Sequence, residues 1–128
     1  MNRKYIIGGL VLFIAFGLPI IAVFGYEAYR MRDIDAEIIM RAPEKGNFTP
    51  RELTLPTGRP IRLRLRNTDT VAHGFGIPEL EIDAGVVDAG EVTIVEFELP
   101  TSASSYRFYC TVWCGDYHPQ MFGVINSE

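Results

Sequence analysis

The chain has 128 residues and a net charge of −4, which leaves room for one small domain and an appendage and excludes a multidomain enzyme. No basic patch interleaved with aromatics is present, so nucleic acid is not an expected partner. The high apolar content (48%) has a local cause, the uncharged run from Ile6 to Phe24.

That run is long enough to cross the hydrocarbon core as a helix. Gly8, Gly9, Gly17 and Pro19 interrupt it, as membrane helices tolerate. Arg3 and Lys4 precede it, and Tyr5, Tyr26 and Tyr29 stand where interfacial aromatics belong. A cleavable leader is the alternative. The run exceeds a usual leader core and no small-x-small site follows it, so a retained anchor is expected. No cysteine stands directly after the run to carry a lipid. Arg30 and Arg32 lie beyond it, so charge alone does not orient the span.

Residues 26 to about 41 keep helical spacing through Ala28, Met31 or Ile34, and Ile38, which predicts a stalk that stops by Pro43. The expected division is 1–42 for span and stalk and 43–128 for the domain. Gly46, Pro50, Pro56, Gly58 and Pro60 exclude a long helix thereafter. Strand signals follow. Glu52 to Leu55 is short. Pro60 to Asn67 alternates Ile61, Leu63 and Leu65 against Arg62, Arg64 and Arg66. Glu91 to Leu99 sets Val95, Phe97 and Leu99 against Glu96 and Glu98. Ser105 to Cys110 points Tyr106 and Phe108 inward, and Phe122 to Ile125 ends the series. Short strands with turn residues between them predict an all-β sandwich. The arginine face reads as a solvated face or a docking surface. Glu79, Glu81, Asp83, Asp88 and Glu91 form an acidic cluster in sequence, suited to steering a basic partner or to solubility.

Both cysteines and one of the two histidines fall in Cys110-Thr-Val-Trp-Cys114-Gly-Asp-Tyr-His118-Pro-Gln-Met121, a C-x3-C-x3-H-x2-M pattern, and the other histidine is His73. Two thiolates, two imidazoles and a thioether are a soft donor set that suits copper. Alone, the cysteine pair reads equally as a structural disulfide. With His73, His118 and Met121 in register, copper is the preferred reading. One cysteine with two histidines and a methionine describes a blue-copper site, and the second cysteine allows two thiolates to bridge two metals.

The segment from His73 to Ile125 resembles the copper domain of cytochrome c oxidase subunit II, in the short single-span form of b-type haem-copper oxidases. His73-Gly74-Phe75, Cys110, Cys114-Gly115, His118 and Met121-Phe122-Gly123 carry the resemblance, with fainter likeness in Phe48-Thr49-Pro50 and Leu55-Pro56-Thr57-Gly58. It implies a cupredoxin-like Greek-key sandwich behind one N-terminal transmembrane helix. It implies a dinuclear CuA centre of two copper ions, bridged by Cys110 and Cys114. His73 and His118 would each bind one copper, with Met121 a weak ligand on one of them and the Val112 carbonyl a further ligand. Many members carry a glutamate that also holds magnesium at the position of Val112, so no such site is expected. The family often has an aspartate three residues before the first histidine; here Thr70 stands there, with Asp69 one place earlier. Longer members also have a tryptophan-rich segment, absent here; Trp113, Phe75, Tyr117 and Phe122 are the aromatics near the ligands.

The implied activity is a one-electron relay from a soluble cytochrome c or similar donor to a haem in the membrane catalytic subunit of an oxidase. The copper domain would then lie on the extracytoplasmic side of the cell membrane. No nucleophile–base pair is present, so no reaction is expected of this chain alone. Alternatives are the equivalent subunit of a nitric oxide reductase, a membrane-tethered cupredoxin without an oxidase partner, and a metal-free interaction subunit.

Overall fold

A computed structural model describes residues 2–128, in two units that meet between Asp33 and Ile34. The first unit is helical: α1 (Arg3–Leu12), a π-helical turn at Phe13–Gly17, and α2 (Leu18–Arg30). The three are continuous over 28 residues. At ~1.5 Å per residue that is about 42 Å, more than the ~30 Å hydrocarbon core requires. Pro19 cannot donate to the turn before it, and the wide π turn directly upstream absorbs the misfit. Its large apolar side chains are exposed on every side, as in Leu10, Phe16 and Phe24. An all-round apolar surface suits lipid rather than water.

The expected stalk is corrected by the second unit. The helix ends at Arg30, and Ala36–Met40 is a strand, β1. Alternation decides the matter: Ile38 and Met40 are fully buried, while Glu37 turns outward to reach Arg64 (3.0 Å) and Arg66 (3.5 Å) on the neighbouring strand. The strand unit therefore starts at Ile34 rather than at residue 43.

The remaining strands are β2 (Glu52–Leu55), β3 (Pro60–Asn67), β4 (His73–Ile77), β5 (Ile82–Val87), β6 (Val92–Glu98), β7 (Ser105–Tyr109) and β8 (Phe122–Ser127). They form two sheets, β1-β3-β6 and β2-β8-β7-β4-β5. β1 runs parallel to β3 and β2 parallel to β8, whereas β3–β6, β4–β5 and β7–β8 are antiparallel. This is the expected Greek-key sandwich. Ile61, Leu63 and Leu65 of the first sheet face Phe75, Ile77, Phe108 and Ile125 of the second, all fully buried. Phe48 lies edge-on to Phe108 at 5.0 Å and to Phe75 at 6.3 Å. Such edge contacts add specific geometry to the burial. The arginine face of β3 is ion-paired, since Arg62 also reaches Glu96 at 3.6 Å.

Two strands escape a pattern-based reading. β4 is buried at every position and so shows no alternation, and β5 contains Gly85 and bulges against β4. Their pairing divides the acidic cluster. His73 lies opposite Val87, and Ile77 opposite Ile82. Glu79, Glu81 and Asp83 therefore sit at the end of the sandwich remote from His73, and only Asp88 and Glu91 stand near it. A single acidic steering surface over the ligands is not what the fold makes.

Candidate metal centre

Neighbouring strands bring the ligand loop together. β7 and β8 pair from Ser105↔Asn126 to Tyr109↔Phe122, and the Cys110 N–H then donates to the Met121 carbonyl at 3.0 Å. Residues 111–120 are thus a closed loop at one end of the sheet. Inside it the His118 N–H donates to the Gly115 carbonyl and the Met121 N–H to that of His118, both at 3.0 Å. Gly115 has φ +138, a region open to glycine but not to larger residues. From outside, the Asn47 amide donates to the Gln120 carbonyl at 2.9 Å. β4 lies beside β7, which delivers His73 to the same end.

The structure gathers every ligand expected from the sequence. Cys110 Sγ and Cys114 Sγ are 3.9 Å apart and both cysteines are free. Cys110 Sγ faces His73 Nδ1 at 3.9 Å, and Cys114 Sγ faces His118 Nδ1 at 3.4 Å. The Val112 carbonyl lies 3.1 Å from Cys110 Sγ, and Met121 Sδ 3.7 Å from Cys114 Sγ. Ligand atoms of His73, Cys110 and Cys114 all lie within 4.8 Å of one another. His73 is fully buried, and Cys110, Cys114 and Met121 are buried. His118 is half-buried, covered by Trp113 at 5.4 Å between ring centroids. Trp113 itself is 69% exposed.

Sequence reasoning missed the groups behind the ligands. Asp69 Oδ2 lies 3.0 Å from His73 Nε2. The same carboxylate accepts from Lys45 Nζ (2.6 Å), the Ala42 N–H (2.8 Å) and the Thr70 N–H (2.7 Å). The aspartate that sequence places one residue too early is thus the one that reaches the imidazole. The usable signal was its position four residues before His73. Gly74 is a second such group: its N–H donates to Cys110 Sγ at 3.4 Å.

These contacts set the charges. Burial pushes the Asp69 carboxyl up, but Lys45 and the two backbone N–H groups outweigh it and hold the carboxyl well below its usual range. Burial lowers His73, and Cys110 and Asp69 together overcome that and raise it. Burial raises Cys110, yet His73 and the Gly74 N–H bring it below an ordinary thiol. Cys114 is pushed up to about 12 by burial and then by the charge on Cys110 beside it. Cys110 is therefore the readier of the two to ionise, and its charge opposes ionisation of Cys114. A cation held by both sulfurs would offset that repulsion with its own charge and let both thiols ionise.

The donor set fits copper on chemistry as well as spacing. The sulfurs and imidazole nitrogens converge in a largely dry setting, the soft set that copper prefers. Asp69 on the second nitrogen of His73 is the outer carboxylate that commonly fixes the orientation of a ligating imidazole. Of the aromatics expected near the site, Trp113 and Tyr117 are exposed, Phe122 is half-buried, and Phe75 lies wholly in the core.

A Greek-key sandwich with one histidine on a strand, and cysteine, histidine and methionine on the loop joining two neighbouring strands, defines a cupredoxin. The chain belongs to the cupredoxin-like domain family, which matches residues 17–125. It is 31% identical over 78 residues to cytochrome c oxidase subunit 2 of Thermus thermophilus, covering 61% of this chain and 56% of that protein. A second Thermus thermophilus subunit 2 matches at the same identity over 45% of its length. The chain thus spans about half the length of the curated relatives it matches. Among solved structures, a chain of a haem-copper terminal oxidase dimer superposes with a TM-score of 0.60 at 19% identity, over 94% of this chain and 97% of that one. Auracyanin from Roseiflexus castenholzii gives 0.58 at 20% identity, over 73% and 95%. A purple cupredoxin from Nitrosopumilus maritimus gives 0.53 at 21%, over 73% and 100%. These structures share the fold.

Proposed function

We propose that this chain is the electron-input subunit of a membrane haem-copper oxidase. It relays single electrons from a soluble cytochrome c or similar donor, through a dinuclear copper centre, to a haem in the catalytic subunit. The observation that carries this reading is the pair of unbonded sulfurs 3.9 Å apart, each facing its own imidazole. One cysteine suffices for a single copper; two sulfurs and two imidazoles in this arrangement suit two. The likeness to the Thermus subunit supports the assignment to an oxidase.

In this reading Cys110 and Cys114 would be shared by the two coppers, His73 and His118 would each hold one, and Met121 and the Val112 carbonyl would be the weaker ligands. Bound copper supplies a one-electron couple, and the residues determine how cheaply it is used. The loop is tied to β8 at Cys110 and to Asn47 at Gln120, so ligands are held in place as charge changes. Asp69 fixes the His73 ring, and Gly74 donates to the Cys110 sulfur, which spreads its negative charge. Water is kept from the sulfurs by burial of both cysteines and Met121. These residues would fill the coordination of two coppers and leave no position for a substrate, so the chain would relay electrons without chemistry of its own. In this reading the Arg3–Arg30 helix, long and apolar enough to cross a membrane, anchors the subunit as a single span, and a soluble donor would meet the copper domain on the extracytoplasmic side.

A second reading is a membrane-tethered carrier with one copper. It is favoured by Met121 and His118 both lying on Cys114, so that one cysteine, one histidine and one methionine already cluster. Copper count and electron paramagnetic resonance of the reduced, detergent-solubilised full chain after copper loading separate the two. Two coppers per chain with one unpaired electron shared over both nuclei support the relay. One copper with a single-nucleus spectrum supports the carrier. In an assembled oxidase, Cys110→Ser should abolish turnover without loss of assembly; unaffected turnover would sink the relay.

A further inference from the structure

Cationic groups stand beside the ligand loop. Phe122, the residue after Met121, has two guanidiniums against its ring, with Arg51 Cζ 5.0 Å and Arg107 Cζ 5.4 Å from the ring centroid. Arg51 precedes β2 and its Nε donates to the Phe122 carbonyl at 3.2 Å; Arg107 is on β7. Both arginines are exposed. Among the described residues neither has a carboxylate within ion-pairing distance, whereas Arg59, Arg64 and Arg66 each do. A cleft of about 570 Å³ opens beside the ring. Arg51 and Phe122 form part of its lining together with Tyr117 and Gln120 of the ligand loop, Asn47, and one acid, Glu44.

A guanidinium lying over a ring has its stem and plane restrained, which prepares its fork of N–H groups for a carboxylate. Two such forks lie against an aromatic one residue from a copper ligand. The chain as a whole is negative, at −4, so an acidic protein gains nothing from the long-range field, and its recognition must be local. The fold also moves three of the five acids of the sequence cluster to the remote end of the sandwich. We propose that the Arg51–Phe122–Arg107 cluster is the docking surface for a redox protein that presents carboxylates beside its prosthetic group. This rests on the relay reading and identifies its partner as acidic at the point of contact.

The first test needs no copper. Hexacyanochromate(III), an inert paramagnetic trianion, is titrated at low ionic strength into the copper-free full chain in neutral detergent, and side-chain NMR broadening is mapped. Broadening of the Phe122 and Tyr117 rings should exceed that of Leu80, at the remote end, by about five-fold or more, as expected of a local cationic site. Arg107→Glu and Arg51→Glu should each remove the excess. Arg62→Glu, which changes net charge equally on the other sheet, should leave it. Should a charge reversal unfold the domain, Arg107→Gln and Arg51→Gln are read in the same way. Uniform broadening, or broadening indifferent to both arginines, overturns the surface.

The second test uses the copper-loaded full chain with an acidic and a basic cytochrome c. Arg107→Gln should slow electron exchange with the acidic protein by about tenfold, with the copper resonance spectrum unchanged. Equal slowing of both, or slowing of the basic one alone, overturns the proposal. The two readings fail separately. A chain that takes up no copper but localises the anion at Phe122 sinks the relay and keeps the surface. One that binds two coppers and localises the anion elsewhere sinks only the surface.

Discussion

Asp69 Oδ2 lies 3.0 Å from His73 Nε2, and the opposite nitrogen of the same ring faces Cys110 Sγ at 3.9 Å. A buried carboxylate, itself held by Lys45 and two backbone N–H groups, thereby fixes which nitrogen of the imidazole is turned towards the sulfur. Removing such outer partners typically costs ~10–100-fold in metal affinity. Asp69→Asn should lower copper affinity by about that factor, measured by competition with a chelator. The far-ultraviolet circular dichroism should remain that of a β-sandwich.

Acid should weaken the domain partly through Asp35. Its carboxylate accepts from Arg59 Nη2 at 2.7 Å and from the Arg62 N–H at 2.8 Å, tying the start of β1 to β3. The Arg59 contact, then that of Arg62, hold the Asp35 carboxyl below its usual value. A carboxyl lowered in the folded state stabilises it above the unfolded value, ~3.9, and that contribution fades as pH falls through the lower, folded value. The melting temperature should therefore drop below about pH 4. Asp35→Asn should melt lower near neutrality and lose part of that acid-side slope.

Glycines at two positions have no room for a side chain. A Cβ at Gly123 would lie 2.2 Å from the Phe108 ring and 2.5 Å from the Arg51 carbonyl. Gly123→Ala should cost ~1–3 kcal/mol, as overpacking does, read from denaturant unfolding. A Cβ at Gly74 would lie 2.1 Å from Thr111 Oγ1 and 3.0 Å from the Thr111 nitrogen, so the ligand loop must shift. Gly74→Ala should lower copper uptake by more than it lowers stability, seen by metal analysis alongside the same unfolding curve.

Trp113 is the sole tryptophan, and its ring centroid is 5.4 Å from that of His118. Copper loading should quench its fluorescence, and chelation should restore it. Trp113→Phe should abolish the signal while leaving the copper count unchanged, since the side chain covers a ligand without being one.

Truncation distinguishes the observed domain start from the one expected by pattern. Residues 34–128 retain β1 and should give a cooperative melt. A fragment beginning at Pro43 lacks Ile38 and Met40, both fully buried. At ~1.5–3 kcal/mol for each large buried side chain, that loss approaches the whole stability of a small domain. The shorter fragment should be unfolded or aggregated, which size-exclusion chromatography and circular dichroism will show.

The sequence by itself determined which soft donors share one loop, and most of the sandwich. Cys110, Cys114, His118 and Met121 share one short loop, so their spacing survives any arrangement of the rest of the chain. Strands with one buried face, such as β3 and β7, announce themselves by alternation. The apolar helix is equally local, a matter of length and hydropathy. What lacked a local signal went unread. β4 is buried throughout and carries two glycines, β5 bulges, and β1 is a strand only because β3 offers it a partner with arginines opposite Glu37. Tertiary structure alone decided which residues stand behind the ligands. Asn47 reaches Gln120 across 73 positions of sequence, Lys45 reaches Asp69 across 24, and Arg51 and Arg107 both come to the Phe122 ring. It also divided an acidic run that sequence made contiguous, because an antiparallel pair sends the two ends of that run to opposite ends of the sheet.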